Sequence, residues 1–137
     1  MSIQDEINQR KRELELQDQR NNAAHQNKVN AARKILPFVA EGVKKYAVNW
    51  AARAVDNKPG IIVQGVEVAR RHWFGKKYLK FRYRVRPGEE YYNELCRCPD
   101  VYGQLANEIC KKGMTNVHVS KSPYDQHIHI TAELDME

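Results

Sequence analysis

Residues 78–85 read YLKFRYRV, and apolar or aromatic side chains alternate there with residues that are mostly basic. Successive side chains of a β-strand point to opposite faces, so this period of two predicts a strand with one face on a hydrophobic core and a cationic face turned outward. The predicted inward set is Leu79, Phe81, Tyr83 and Val85, and the predicted outward set is Tyr78, Lys80, Arg82, Arg84 and Arg86. Pro87 and Gly88 end the strand, because neither residue favours continued pairing.

The strand at residues 78–85 is predicted to be the second arm of a β-hairpin. Residues 61–69 are rich in valine and isoleucine and form the first arm, with the turn at residues 73–76. A second hairpin joins residues 116–120 to residues 127–134 through a Ser-Pro-Tyr-Asp turn. The two hairpins predict a mainly antiparallel sheet of about four strands.

Three helices are predicted in addition to this sheet. Residues 2–35 contain no glycine or proline and consist mainly of good helix formers, which predicts a long polar helix. Pro37 fits the first turn of a second helix over residues 37–56, whose apolar side chains recur at steps of three and four residues. Residues 100–112 predict a third helix, which Gly113 ends. The predicted fold class is α+β, with a long N-terminal helix and a sheet of two β-hairpins packed against two helices.

The chain is predicted to consist of an arm and one domain. Its 137 residues are enough for one hydrophobic core. We assign residues 1–36 to a projecting polar helix and residues 37–137 to a compact α+β domain. Ile3, Ile7 and Leu14 mark an apolar stripe on the arm, but the helix is too polar to be held by burial in its own domain. We therefore expect a homodimer through this helix, the alternative being a solvated arm.

Composition excludes several classes of protein. No apolar run approaches the roughly 20 residues that a membrane-spanning helix needs, and the N-terminal residues are too polar for a signal peptide. Cys96, Cys98 and Cys110 are too close in sequence for a disulfide framework, so we expect ordinary thiols in a reducing, cytoplasmic environment. The chain has no glycine-rich phosphate loop and no complete catalytic motif. We therefore expect no cofactor and no membrane partner, and binding rather than catalysis.

The positive charge is concentrated in one segment. The net charge is +6 and the isoelectric point is near 9.3, yet residues 70–86 alone carry eight basic residues and no acidic one. Because this local charge exceeds that of the whole chain, it favours a surface for a polyanion or an acidic partner over general solubility. The basic residues are Arg70, Arg71, Lys76, Lys77, Lys80, Arg82, Arg84 and Arg86.

The predicted ligand of the basic segment is rich in phosphate. Alternate residues of a strand lie about 6.6 Å apart, close to the separation of phosphates along a nucleic-acid strand. The arginine fork holds two phosphate oxygens at once, and Tyr78, His72 and Trp73 are expected to stack on bases beside the charges. The predicted function is non-catalytic binding of RNA, DNA or a nucleotide-like molecule. The structural alternative is a solvated face whose charges pair within the chain.

A small protein-interaction module is the second functional hypothesis. Its basic face would dock on an acidic or nucleic-acid-binding partner. A compact chain without a catalytic motif is what we expect of an inhibitor from a phage or mobile element. Protein docking predicts one or two dominant hot spots, whereas polyanion binding predicts steep salt dependence.

The second predicted hairpin carries His118, His127 and His129. Strand alternation turns all three outward, and they join the arginine face if both hairpins share one sheet. Residues 117–120 (VHVS) and 128–131 (IHIT) each resemble the His-x-Ser/Thr signature of two-histidine phosphoesterases, which would make His118 and His129 the acid and base of a third hypothesis. That family takes its two motifs from separate halves of a larger fold, whereas in this chain both lie on the two arms of one predicted hairpin. A zinc site of the three histidines is not favoured, because no cysteine or carboxylate pattern completes it.

The predicted ligand-binding residues combine the basic segment, its aromatic neighbours and the histidines. We predict no catalytic and no metal-ligating residue. The predicted ligand-binding residues are Arg70, Arg71, His72, Trp73, Lys76, Lys77, Tyr78, Lys80, Arg82, Arg84, Arg86, His118, His127 and His129.

Overall fold

The computed structural model describes residues 2–56, 58–60, 62–70 and 75–136. Within these ranges the chain forms three α-helices, a 3-10 turn and five β-strands. In chain order they are α1 (Ile3–Ala54), β1 (Ile62–Val63), β2 (Val66–Arg70), β3 (Lys77–Val85), α2 (Tyr92–Arg97), the 3-10 turn (Pro99–Val101), α3 (Tyr102–Lys111), β4 (Thr115–Lys121) and β5 (Ile128–Asp135). The predicted α+β class is confirmed.

The described strands form one antiparallel sheet in the order β1-β2-β3-β5-β4. Both predicted hairpins belong to it, because β3 pairs with β5 from Tyr78 to Val85. The sheet has five strands where the sequence predicted about four. Gln64 and Gly65 have positive φ angles of 51° and 79°, which is the geometry of a two-residue hairpin loop, and they fold β1 back onto β2.

Helix α1 runs without interruption through Pro37, so the prediction that Pro37 begins a second helix was wrong. The proline removes one backbone hydrogen bond from the helix interior. Its neighbours Leu36 and Val39 are each only 4% exposed. Burial of these side chains against the rest of the fold stabilises the helix across the missing bond, since tertiary packing contributes more to a helix than local propensity does.

Helix α1 is exposed in its first half and packed in its second. Every described residue up to Lys28 is exposed, and burial begins at Val29. At 1.5 Å per residue, the exposed part is about 40 Å long. The division of the chain into an arm and a compact domain stays a prediction. No helix within the described ranges has the length and hydrophobicity that crossing a bilayer requires.

One face of the sheet is buried by helices and the other is open. The buried face carries Leu79, Phe81, Ile128 and Ile130, each at most 3% exposed. Their positions follow the period of two that the sequence shows for β3 and β5. The helices contribute Leu36, Val39, Val43 and Ala47 from α1, Leu95 from α2, and Leu105 and Ile109 from α3 to the same core.

Candidate functional site

The open face of the sheet is formed by the outward side chains of β2, β3, β5 and β4. The strand register arranges them in rows, and neighbours within a row have Cβ atoms about 4.5–5.5 Å apart. The three rows are Glu67, Lys80 and Glu133; Arg82, Thr131 and His118; and Arg84, His129 and Ser120. The arginines of one predicted hairpin and two histidines of the other therefore share this face.

Lys80 lies between two carboxylates. Glu67 is its cross-strand neighbour on β2, and Glu133 is its neighbour on β5. Glu133 is only 9% exposed and accepts a hydrogen bond of 3.2 Å from the side-chain amide of Asn116. The row of Lys80 thus carries more negative than positive charge, and the open face is not uniformly cationic.

Arg82 and Arg84 form the cationic part of the open face. Both side chains are exposed, and no carboxylate oxygen of the described residues lies within 4 Å of either guanidinium. Their cross-strand neighbours on β5 are Thr131 and His129, neither of which is acidic. Arg86 is the next outward residue after Arg84. Its Nε atom is 3.9 Å from Glu89 Oε1, in an exposed ion pair that contributes little to the free energy of folding.

Two depressions meet at Arg82 and Arg84. Strand β2 pairs with β3 only as far as Val66 and Phe81, so no strand of the described residues neighbours the edge of β3 beyond Phe81 on that side. The first depression, of about 360 Å³, lies on the open face and reaches His118 and Thr131. The second, of about 660 Å³, continues around the free edge. It is lined by Tyr46, Trp50, Gln64, Gly65, Arg82, Tyr83, Arg84, Arg86 and Glu89.

Tyr46 and Trp50 of α1 form the aromatic wall of the second depression. The structure leaves each partly exposed, with one flank on the core. The Tyr46 ring packs edge-on against Tyr83 at a centroid distance of 5.3 Å, and the Arg53 guanidinium lies 5.7 Å from the centre of the Trp50 ring. Burial raises the pKa of the Tyr46 phenol, and the positive charge of Arg84 opposes that rise. The phenol is therefore a neutral hydrogen-bond donor beside the arginines.

The other predicted residues of the basic segment are either undescribed or lie at the opposite end of β3. Arg71, His72 and Trp73 fall outside the described residues. Arg70 pairs with Lys77 where β2 ends and β3 begins, and Lys76 and Tyr78 lie beside this pair. Seven strand positions separate Lys77 from Arg84, which corresponds to about 23 Å. The described basic residues are therefore spread along β3, with Arg70, Lys76 and Lys77 at one end and Arg84 and Arg86 at the other.

The histidines form two separate groups. His118 Nε2 lies 3.1 Å from Asn116 Oδ1 on β4. His127 and His129 stack at a ring-centroid distance of 6.1 Å and both approach the carboxylate of Asp125. His129 Nε2 is 3.0 Å from Asp125 Oδ2, and His127 Nδ1 is 3.6 Å from the same oxygen. His118 and His129 therefore engage different partners.

Asp125 is a residue of this group that the sequence reasoning missed. Partial desolvation opposes its ionisation, but hydrogen bonds from the His127 backbone and from the His129 and Ser122 side chains outweigh it and lower the pKa of the carboxyl to about 2. Asp125 therefore stays ionised at neutral pH. The sequence does contain a pattern that indicates this group. Residues 125–129 read Asp-x-His-x-His, so the carboxylate and the two imidazoles occupy alternate positions at the end of the turn.

Cys96 is predicted to react faster than an ordinary thiol. Lys121 Nζ donates a hydrogen bond of 3.1 Å to its sulfur, and this bond lowers the pKa of the Cys96 thiol against the effect of burial. We expect the pH midpoint of Cys96 alkylation by iodoacetamide to rise in Lys121→Met. The exposed Cys110 is the internal control. An unchanged Cys96 midpoint, followed by mass spectrometry of the tryptic peptides, contradicts the effect of Lys121.

The molecule belongs to the class of small α+β proteins with an antiparallel sheet that is covered by helices on one face and open on the other. Its open face presents Arg82 and Arg84, which have no carboxylate within 4 Å among the described residues, beside an aromatic-lined groove. No known protein family, curated protein or solved structure matches the chain.

Proposed function

We propose that this protein binds a phosphate-rich ligand, a single-stranded nucleic acid, along the free edge and outward side of β3. The observation that carries the proposal is the pair Arg82 and Arg84, both exposed, without a carboxylate within 4 Å among the described residues, and shared by both depressions. Alternate strand positions lie about 6.6 Å apart, which fits successive phosphates of an extended strand. Each guanidinium can hold two oxygens of one phosphate.

The aromatic wall favours a single strand over a duplex. Unpaired bases offer π-faces that stack on aromatic side chains, and Trp50 and Tyr46 lie in the same groove as the arginines. In a duplex the faces of the bases are covered by their neighbours. His118 and Thr131 line the adjoining depression and offer further hydrogen-bonding groups to phosphate or sugar.

The test is fluorescence anisotropy with labelled single-stranded RNA, single-stranded DNA and duplex DNA over a salt series. We expect both single strands to bind more tightly than the duplex, with a slope of log affinity against log salt of about −0.7 per neutralised phosphate. Poly-glutamate serves as a competitor that represents an acidic protein partner. Binding of poly-glutamate without binding of nucleic acid would favour the protein-docking hypothesis. No binding of a folded chain to any strand at low salt would overturn the proposal.

We also propose that two copies of the chain pair through the exposed part of α1. Ile3, Ile7 and Leu14 are 76%, 53% and 44% exposed, and at 3.6 residues per turn they fall on one side of the helix. A second copy would cover this stripe and would place two arginine pairs in one particle, which raises affinity for a long strand through avidity.

Leu14→Lys is expected to convert the dimer into a monomer, because it places a charge in the apolar seam. Leu16→Lys is the matched control, since Leu16 is also exposed, at 53%, but lies about 200° around the helix from Leu14. Size-exclusion chromatography with light scattering gives the mass of each variant. A monomeric parent chain, or dimers in both variants, contradicts pairing through this stripe.

A further inference from the structure

The turn between β4 and β5 gathers two imidazoles and a carboxylate at one end of the open face. Asp125, His127 and His129 each offer one ligand atom, and these three atoms all lie within 4.8 Å of one another. The group consists of alternate residues, so the strand period brings His127 and His129 to the same side. The turn before them brings Asp125 to that side as well.

The separations fit a small, four-coordinate metal ion. Ligand bonds of about 2.0–2.1 Å in a tetrahedral zinc site place neighbouring ligand atoms about 3.3 Å apart. The observed separations from Asp125 Oδ2 are 3.0 Å to His129 Nε2 and 3.6 Å to His127 Nδ1. These two values lie on either side of that figure, and the ligand atoms of the two histidines lie within 4.8 Å of each other, so rotation of the side chains about their χ angles would bring the three atoms around one ion.

The turn holds these ligands in place through several hydrogen bonds. The backbone N–H of His127 donates to Asp125 Oδ1 at 2.9 Å, and the backbone N–H of Ser122 donates to the His127 carbonyl at 2.9 Å. From α2, the hydroxyl of Tyr92 donates to the carbonyl of Gln126 at 2.7 Å. Outer contacts of this kind fix the orientation of ligands and so reduce the cost of binding.

His127 Nδ1 lacks a hydrogen-bond partner among the described residues, although solvent does not reach it. Buried polar atoms are normally satisfied, so such an atom calls for an explanation. Its nearest acidic atom, Asp125 Oδ2, lies 3.6 Å away, which is beyond hydrogen-bonding distance. A metal ion between the two would take the lone pair of this nitrogen.

We propose that Asp125, His127 and His129 bind a divalent transition metal ion of the zinc class. Imidazole nitrogen and carboxylate oxygen are both ligands of Zn²⁺, and three protein ligands leave a fourth position for water or an anionic group. Arg84 is the cross-strand neighbour of His129, so an anionic oxygen at the fourth position lies near a second positive charge. The sequence reasoning grouped His118 with the other two histidines, whereas the structure brings Asp125 to them instead.

Isothermal titration of the metal-free, reduced chain with Zn²⁺ tests the proposal. We expect one equivalent of Zn²⁺ per chain. We also expect affinity to fall by more than about 100-fold in His127→Ala and in His129→Ala, because loss of a direct ligand exceeds the 10–100-fold effect of an outer contact. His118→Ala and Cys96→Ser are the matched controls and retain binding, which separates this site from the other histidine and the reactive thiol.

A visible absorption spectrum of the Co²⁺-loaded parent chain is a second test. It uses no variant, so its result does not depend on whether the variants fold. We expect the intense visible bands of a four-coordinate ion without a thiolate charge-transfer band. Absence of saturable Zn²⁺ binding, binding that survives in His127→Ala/His129→Ala, or loss of binding in Cys96→Ser overturns the proposal. The nucleic-acid titrations are run with a chelator present, so failure of the metal site and failure of the phosphate-binding proposal are read separately.

Discussion

The double variant Arg82→Glu/Arg84→Glu is expected to bind single-stranded RNA at least about 100-fold more weakly than the parent, because two charge-assisted hydrogen bonds of about 1.5–3 kcal/mol each are lost and repulsion replaces them. Both side chains are exposed and contact no carboxylate of the described residues, so the substitution breaks no ion pair among those residues. Fluorescence anisotropy at fixed salt gives the two dissociation constants. Circular dichroism of both proteins verifies that the variant is folded.

Arg12→Glu/Arg20→Glu is the matched control for net charge. Both arginines are exposed on α1, and the control changes the charge of the chain by the same amount. Tyr46 lies about 39 Å along the helix from Arg20 and farther from Arg12. Exposed charges act only weakly beyond a Debye length of about 8 Å at physiological salt, so we expect a much smaller loss. Equal losses in the two double variants would mean that binding follows the total charge and not the arginine pair.

Lys80→Ala tests whether RNA binding depends on the arginine pair in particular or on every outward basic residue of β3. The sequence alone gives Lys80 the same role as Arg82, because both belong to the outward set of one strand. The structure places Lys80 between Glu67 and Glu133. We therefore expect Lys80→Ala to weaken RNA binding less than Arg82→Ala does. A larger loss for Lys80→Ala would mean that the ligand binds nearer to the Lys77 end of β3 than to the Arg84 end.

Ile130→Ala is expected to lower the free energy of unfolding by about 2–5 kcal/mol, because it leaves a cavity in the centre of the core. Ile130 is fully buried and lies on β5, which pairs with a strand on each side. Urea unfolding at one fixed protein concentration gives the difference from the shift in midpoint.

Ile62→Ala removes the same atoms from the edge of the sheet. Ile62 is 67% exposed, and substitutions at exposed sites away from special features usually change stability by no more than about 0.5 kcal/mol. A similar loss in both variants would contradict the assignment of the core to the face of β3 and β5 that the helices cover.

Most of the fold was predictable from local patterns. The period of two in β3 and β5 identified both strands and their buried faces, since alternation depends only on the geometry of an extended chain. The sequence pattern predicted one strand over residues 61–69 and did not distinguish β1 from β2, because a Gln-Gly pair is a weaker hairpin signal than Asn-Gly or Asp-Gly. The helix boundary predicted at Pro37 was wrong, because the penalty of an interior proline is visible in the sequence and the packing that offsets it is not.

The candidate site was predictable only in part. The outward direction of Arg82 and Arg84 followed from alternation, and so did that of His129. The carboxylates beside Lys80 come from β2 and β5, so their effect depends on the pairing of distant segments. Trp50 lies on the apolar stripe of a helix, and only the short length of β2 leaves it beside a groove.

The amino-acid sequence by itself determined the helical character of the segments that form α1 and α3, the strands β3 and β5 with their buried faces, and the concentration of positive charge at residues 70–86. These properties depend on neighbours a few positions apart, which sequence patterns record directly. The tertiary structure alone decided that Lys80 faces two carboxylates while Arg82 and Arg84 do not, and that Asp125 joins His127 and His129. The reason is that strand register and turn geometry set these neighbours, and both are fixed only when the whole sheet packs on its helices.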